Sequence, residues 1–248
     1  MDHLLYIAMS GAKENMNALG VRANNLANAN TTGFKADLEQ ARSMQAFGDG
    51  LPSRVFAMTE MPSQNFDAGE LKITENELDV AIQGDGWFAV QDGDGNEAYT
   101  RAGSLKISAD GMLQTASGLA VLSDGGDPIQ LPVPLAKIDI AADGSIQALA
   151  QGAPATAMAE VGRIKLVKPD NADVVKGNDS LFRRKDGEVA EADATVSLLS
   201  GALEGSNVNA VGEMTYMISL QRQYELQVKM MKTAEDMDRQ HNQILRII

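Results

Sequence analysis

The sequence predicts an α+β protein: one discontinuous helical domain of coiled-coil type, made from the N- and C-terminal segments, with an all-β central domain inserted on extended connectors. Three observations predict it. After Gly212 the chain holds neither Gly nor Pro for thirty-six residues, a run without breakers that exceeds most globular helices. Near the N-terminus, apolar residues recur on a strict period of 3.5, the mark of a helical seam that needs a partner. Across the middle the apolar period falls to two, in short runs divided by Gly and Asp, as in strands joined by tight turns.

The N-terminal helix is assigned to residues 1–35. Leu5, Met9, Ala12, Met16, Leu19, Ala23 and Leu26 follow spacings of 4, 3, 4, 3, 4 and 3, a coiled-coil seam rather than a globular amphipathic face. Ala12 and Ala23 are small enough to let a second helix approach closely. Asn17, Asn24, Asn25, Asn28 and Asn30 are poor helix formers. They fit either a fraying helix end or amides that bond to neighbouring chains, since each carries both donor and acceptor. Thr31-Thr32-Gly33 stops the helix, with Gly33 suited to the left-handed position after the last turn.

Residues 36–79 read as a connector holding a short helix, Ala36 to Phe47, and a strand, Val55 to Met58. The central β domain spans 80–169. Trp87-Phe88-Ala89-Val90 leads through Asp92-Gly93-Asp94-Gly95-Asn96 into Ala98-Tyr99-Thr100-Arg101, a hairpin. Asp110-Gly111 and Asp143-Gly144 join two more hairpins, thirty-three residues apart, and Asp-Gly between alternating runs predicts type I′ turns. Val161 to Val167 reads as one further strand, and 170–202 as a second loop-rich connector.

The last segment, 203–248, opens on a turn-like run, Leu203 to Ala210, and continues as the long helix. Met214, Met217, Leu220, Tyr224, Val228, Met231, Ala234 and Met237 form its apolar stripe. Glu225 with Lys229 and Glu235 with Arg239 add acid-first pairs at i,i+4. At about 1.5 Å per residue the helix reaches roughly 54 Å, more than the width of a domain of this size. Such a helix needs company.

Charge and composition exclude several roles. The chain has 248 residues, a net charge of −13 and no cysteine. Residues 1–35 carry +1, residues 205–248 carry zero, and the middle carries −14. A surface that acidic repels phosphate backbones, so nucleic acid is excluded as a partner. The neutral ends can pack against copies of themselves. Without cysteine there are no disulfides, thiolate nucleophiles or Cys-ligated metals. No stretch approaches eighteen uninterrupted apolar residues, so no membrane span is expected. The first residues lack the basic and apolar regions of a cleaved signal peptide.

No motif specifies chemistry. An EF-hand loop starting at Asp92 needs Gly at its sixth position and Glu at its twelfth; here those are Glu97 and Gly103. Gly84-Asp85-Gly86 lacks the spacing and following helix of a nucleotide loop. His3 and His241 lie in the terminal helices and read as solvated or packed side chains. Trp87 and Phe88 read as β-core residues. No catalytic, cofactor or metal site is expected.

Three blocks carry a family resemblance. Met1 to Ala12 and the run Ala23-Asn24-Asn25-Leu26-Ala27-Asn28-Ala29-Asn30-Thr31-Thr32-Gly33-Phe34-Lys35 resemble the N-terminal signature of bacterial flagellar rod and hook proteins. Gly84 to Val90 and Tyr99 to Gly103 resemble the central motifs of that family. Leu203 to Asn209 and Gln221-Arg222-Gln223-Tyr224-Glu225 resemble its C-terminal motif. Phe182 to Gly187 and Gln227 to Glu235 are closer to the proximal-rod members than to distal rod or hook proteins. Gly205 departs from the residue usual in relatives.

The resemblance implies a structural, non-enzymatic subunit of the flagellar basal body. It implies passage through the flagellar type III export apparatus without a cleaved signal. It also implies a periplasmic rod that is a hollow, torque-transmitting helical polymer, in which the terminal helices pair as the inner layer. Its partners would be copies of itself and other proximal and distal rod proteins. The expected subunit interface comprises Leu5, Met9, Ala12, Met16, Leu19, Ala23, Asn24, Asn25, Leu26, Asn28, Met217, Leu220, Arg222, Tyr224, Val228 and Met231. Two alternatives stand beside it: a distal rod subunit, and a self-contained secreted β protein that binds a ligand such as sugar beside Trp87 and Tyr99.

Overall fold

The computed structural model describes residues 2–39, 41–45, 55–59, 63–152, 154 and 158–245. The chain divides into two compact units: Met1–Ala29, Ala36–Asn65 and Val208–Ile248 form one, Asn30–Lys35 and Phe66–Asn207 the other. The first is helical with small sheets and the second is β, so the class is α+β.

In the helical unit, α1 (Asp2–Ala27) and α2 (Ala210–Leu245) run antiparallel, with Arg22 meeting Glu213 and Asn15 meeting Gln227. α1 ends where the Asn28 N–H is shared between the carbonyls of Asn24 and Asn25, both at 3.1 Å. The helix therefore stops six residues before Gly33, which is not its C-cap. α2 likewise starts later than the assigned segment, at Ala210. Asn209 caps it: its side-chain oxygen accepts the Gly212 N–H at 3.1 Å and its carbonyl the Glu213 N–H at 2.9 Å, as expected of an N-cap asparagine.

Residues 36–39 and 41–45, the described part of the helix expected over 36–47, do not form it; residues 40, 46 and 47 lie outside the described residues. β1 (Asp37–Leu38) pairs with β4 (Ser63–Gln64), and β2 (Ala41–Gln45) pairs with β3 (Val55–Thr59), all antiparallel. A segment this short cannot sustain a helix without tertiary help. The tertiary contact it has, at Asp37, holds the backbone extended.

In the β unit, β7 (Trp87–Gln91) and β8 (Glu97–Thr100) lie at the middle of a five-stranded antiparallel sheet. β14 (Leu166–Val167), β16 (Phe182–Arg184) and β15 (Val174–Lys176) complete it. β11 (Leu135–Ile140), β12 (Ser145–Ala150) and β13 (Ala159–Arg163) make a second sheet. Three ribbons remain: β9 (Leu105–Ile107) with β10 (Leu113–Thr115), β6 (Val80–Gln83) with β17 (Ser197–Ser200), and β5 (Leu71–Ile73) with β18 (Ala202–Glu204). Two expectations change here. The strand predicted over Val161–Val167 divides between two sheets, turning at the fully buried Ile164. The connector predicted over 170–202 supplies β15, β16 and β17.

The alternation of apolar residues builds the core as the sequence suggests. Phe88, Val90, Leu113, Val121, Ile140, Ile146 and Ile164 are all buried in one cluster. Trp87, Tyr99, Val167, Val174 and Phe182 form a smaller one on the other face of the five-stranded sheet, with Trp87 and Phe182 ring centroids 4.4 Å apart. Burying each large apolar side chain stabilises the fold by about 1.5–3 kcal/mol.

The Asp-Gly hairpins are not type I′. In the Asp92, Ser108 and Ala141 turns the first residue accepts an N–H from the residue three on, and its own N–H reaches the carbonyl four on. Only the Gly at the fourth position has positive φ, 84–87°. That is a type I turn closed by a glycine bulge, the other common hairpin solution. At Asp92 the carboxylate tightens the loop further, accepting the N–H groups of Asp94 (3.0 Å) and Asn96 (2.8 Å).

Candidate assembly interface

The surface of the helical unit is set by which side chains each helix turns inward. On α1 the inward face holds Ala8, Ala12 and Asn25, all buried, with Asn15 and Arg22 partly so. Gly11 belongs to it too, because a Cβ there would meet the Gln227 amide nitrogen at 2.5 Å. On α2 the inward positions are Glu213, Met217, Leu220, Gln227, Met231, Ala234 and Asp238. With Tyr224 they follow heptad spacing.

Polar bonds fix the register of this pair. Arg22 Nη1 donates to both carboxylate oxygens of Glu213, at 3.1 and 3.3 Å, and its guanidinium lies 4.8 Å from the Tyr216 ring centroid. Asn15 donates to Gln227 Oε1 at 3.2 Å. Asn25, 0% exposed, donates to the Asp37 carbonyl and accepts the Asp37 N–H, both at 2.9 Å, with Glu213 Oε1 at 3.5 Å. Partial burial, and then the neighbouring Glu14 carboxylate, push the Glu39 carboxyl above its usual range.

Small and polar residues therefore carry much of the contact between α1 and α2, and many large apolar residues face outward. Tyr6, Ile7, Met9 and Met16 are exposed on α1; Val211, Met214, Tyr216, Ile218, Leu226, Met230 and Met237 are exposed on α2. Leu226 is 62% exposed in the middle of its helix. A helix that is apolar on most of its sides is normally buried on most of its sides.

The residues expected at the interface divide between these surfaces. Ala12 and Asn25 are buried within the unit; Leu5, Leu19, Leu26, Asn28, Met217, Leu220 and Met231 are half-buried. Met9, Met16, Ala23, Asn24, Arg222, Tyr224 and Val228 are exposed. Asn28 turns back on its own helix, donating to the Asn24 carbonyl at 3.0 Å. Five of the eight stripe positions predicted on α2, Met217, Leu220, Tyr224, Met231 and Ala234, fall on the inward heptad; Met214, Val228 and Met237 point outward, and the inward positions beside them hold Glu213, Gln227 and Asp238. Arg22, Asn15, Gln227 and Glu213 were absent from the expected set; an apolar template passes over polar contacts.

The side chains of His3 and His241 lie outside the described residues. Among the described residues no group of three or more His, Cys, Asp or Glu side chains is placed to hold a metal ion, and no helix is long and apolar enough to cross a membrane. Trp87 and Tyr99 are 3% and 1% exposed, so neither offers a face for a sugar to stack on.

Comparison with known proteins gives three segments in order. The family described as Flagella basal body rod protein matches residues 5–35, the Flagellar hook protein FlgE/F/G D1 domain matches 81–148, and the Flagellar basal body rod FlgEFG protein C-terminal family matches 199–244. The chain is 43% identical over 251 residues to the flagellar basal-body rod protein FlgF of Escherichia coli (strain K12), an alignment spanning 99% of each chain. It is 41% identical to the protein of that name from Salmonella typhimurium, over 99% of each chain. Against that from Caulobacter vibrioides the identity is 36% over 96% of each. The chain belongs to the flagellar basal-body rod protein FlgF family.

Proposed function

We propose that the chain is a structural, non-enzymatic subunit of the flagellar basal-body rod. In this reading it sits in the proximal part of the rod, is delivered through the flagellar export apparatus, and joins the periplasmic polymer through its terminal helices. The observation that carries the reading is the outward apolar surface of α2, from Val211 to Met237. Each of those side chains would gain roughly half or more of the ~1.5–3 kcal/mol that full burial from water supplies, and neighbouring helices of a tube supply that burial. Contacts that repeat head to tail without closing give an open filament rather than a ring. In the polymer the α1–α2 pair would act as a coiled-coil element whose outer faces, including Met9, Met16 and Val228, meet copies of itself and other rod proteins.

Val228→Asp tests this, since Val228 lies on the exposed side of α2 rather than in the contact with α1. Isolated basal bodies from the variant strain are expected to lack the subunit, with motility lost. Normal incorporation would overturn the reading.

A further inference from the structure

Three residues from distant parts of the sequence meet inside the β unit. Lys35, Arg101 and Glu204 have side chains 1%, 4% and 2% exposed. Lys35 Nζ donates to Glu204 Oε1 at 2.7 Å and to the Asp67 carbonyl at 2.8 Å. Glu204 Oε1 also accepts the Gly69 N–H at 3.0 Å. The other carboxylate oxygen of Glu204 lies 3.2 Å from Arg101 Nη1, and Arg101 Nη2 donates to the Gly84 carbonyl at 2.7 Å. Two cations thus share one buried anion.

The backbone joins the same segments. Gly33 donates to the Glu204 carbonyl at 2.8 Å, Asn207 to the Phe34 carbonyl at 3.3 Å, and Gly205 to the Glu70 carbonyl at 2.8 Å. Residues 30–35 and 202–207 are therefore two straps of the β unit lying against each other, the first a short segment of it and the second the end of its long one.

We propose that the triad makes docking of the N-terminal strap conditional on prior docking of the C-terminal strap. The charge count sets the order. With residues 202–207 in place and Lys35 still outside, Glu204 and Arg101 form a neutral pair. With Lys35 in place and Glu204 absent, two cations share a pocket with no buried anion, leaving only the weaker pull of the exposed Asp67 and Asp85 carboxylates, an arrangement that costs several kcal/mol per unpaired buried ion. Burial holds the Lys35 ammonium below its usual range, with the Glu204 carboxylate opposing that shift. Gly33 adds a steric condition: its φ is +68°, and a Cβ there would lie 2.2 Å from the Arg101 carbonyl carbon, so this strap lies flat on the Arg101 backbone. A chain whose C-terminal segment has not docked has no buried anion to receive Lys35. The β unit thereby registers that both ends of the chain are present before it fixes the first of them.

Hydrogen exchange on the full chain reads the order, followed at the Gly33, Gly205 and Val121 amides, the last bonded to the Leu113 carbonyl in the core. In Glu204→Gln the Gly33 amide is expected to exchange about tenfold faster or more, with Val121 unchanged. In Lys35→Met, which leaves the neutral pair, Gly33 speeds up and Gly205 stays within about twofold of the parent. The double variant Lys35→Met with Glu204→Gln removes the second buried cation, and its Gly33 amide exchanges more slowly than in Glu204→Gln alone. Additive loosening in the double variant overturns the proposal. Equal loss at Gly205 in Lys35→Met overturns it as well. So does loss of protection at Val121 in Glu204→Gln, which would make the triad part of the general core.

Discussion

Asn25 pairs with Asp37 as a neighbouring strand would: its side-chain amide donates to the Asp37 carbonyl and accepts the Asp37 N–H, both at 2.9 Å. A side chain on α1 thereby supplies the ladder bonds that keep Asp37 extended, and the same amide reaches Glu213 on α2. Asn25→Ala leaves buried polar groups unpaired, at about 1–3 kcal/mol each. The expected result is faster exchange at the Asp37 amide and a lower urea midpoint for the helical signal. An unchanged Asp37 amide would remove Asn25 from this role.

Tyr99 makes a comparable bond inside the β unit, where its hydroxyl oxygen accepts the buried Ala190 N–H at 2.8 Å. Burial pushes the hydroxyl's own pKa up to about 12, so the group stays neutral at any ordinary pH. Tyr99→Phe keeps the ring and orphans the N–H, a loss of about 1–3 kcal/mol. Urea unfolding followed by the fluorescence of Trp87, the single tryptophan, measures it.

Asp92 ties β7 to β16, since its Oδ2 accepts Arg183 Nη2 at 2.8 Å and Nε at 3.3 Å. The Arg183 guanidinium holds the carboxyl below its usual range, helped by the N–H groups of Asn96 and Asp94. Arg183 holds Asp179 low in the same way. A carboxylate with a depressed folded pKa stabilises the fold above its unfolded value, about 3.9. That contribution disappears as pH falls through the lower folded value. The β unit should therefore lose stability on acidification below about pH 4, and Arg183→Met should flatten that part of the profile while lowering stability at neutral pH. Parallel profiles for the two proteins would show that the pairs carry no linkage.

Gly103 allows an approach that no side chain permits, because a Cβ there would lie 1.6 Å from the Val80 carbonyl oxygen. That oxygen belongs to β6, whose own N–H at Val80 donates to the Gly103 carbonyl at 3.0 Å. Gly103→Ala must push β6 away from the core that Val80 and Ile82 help to build. A loss of about 3 kcal/mol or more is expected, the range of severe packing disruption. Thermal unfolding checks it, and a variant of parental stability would mean that β6 and the Gly103 segment separate without cost.

Much of this was legible in the residues themselves. The breaker-free run after Gly212 gives α2, and the alternation from Val80 onward gives strands whose inward residues are the observed core. The Asp-Gly pairs mark hairpins correctly, while the turn type is decided by the one extra residue that a bulge absorbs. The described residues of the helix expected over 36–47 form β1 and β2 instead; Asn25, twelve residues before Asp37, holds the backbone there extended, and no local propensity carries the information. The α2 stripe missed three of its eight positions for a different reason. Apolar residues occur on several sides of the helix, so the apolar template selected Met214, Val228 and Met237. The side facing α1 is recognised by Glu213 and Gln227, whose partners Arg22 and Asn15 lie some two hundred residues away.

Cryo-electron microscopy of the intact basal body tests the central claim most directly, by locating this subunit and the surroundings of its last helix. Burial in a polymer predicts that Tyr216, Leu226 and Met230 each lie within about 4.5 Å of side chains from neighbouring subunits. Density in which those three side chains face open solvent, in a subunit whose helices touch only each other, would contradict it.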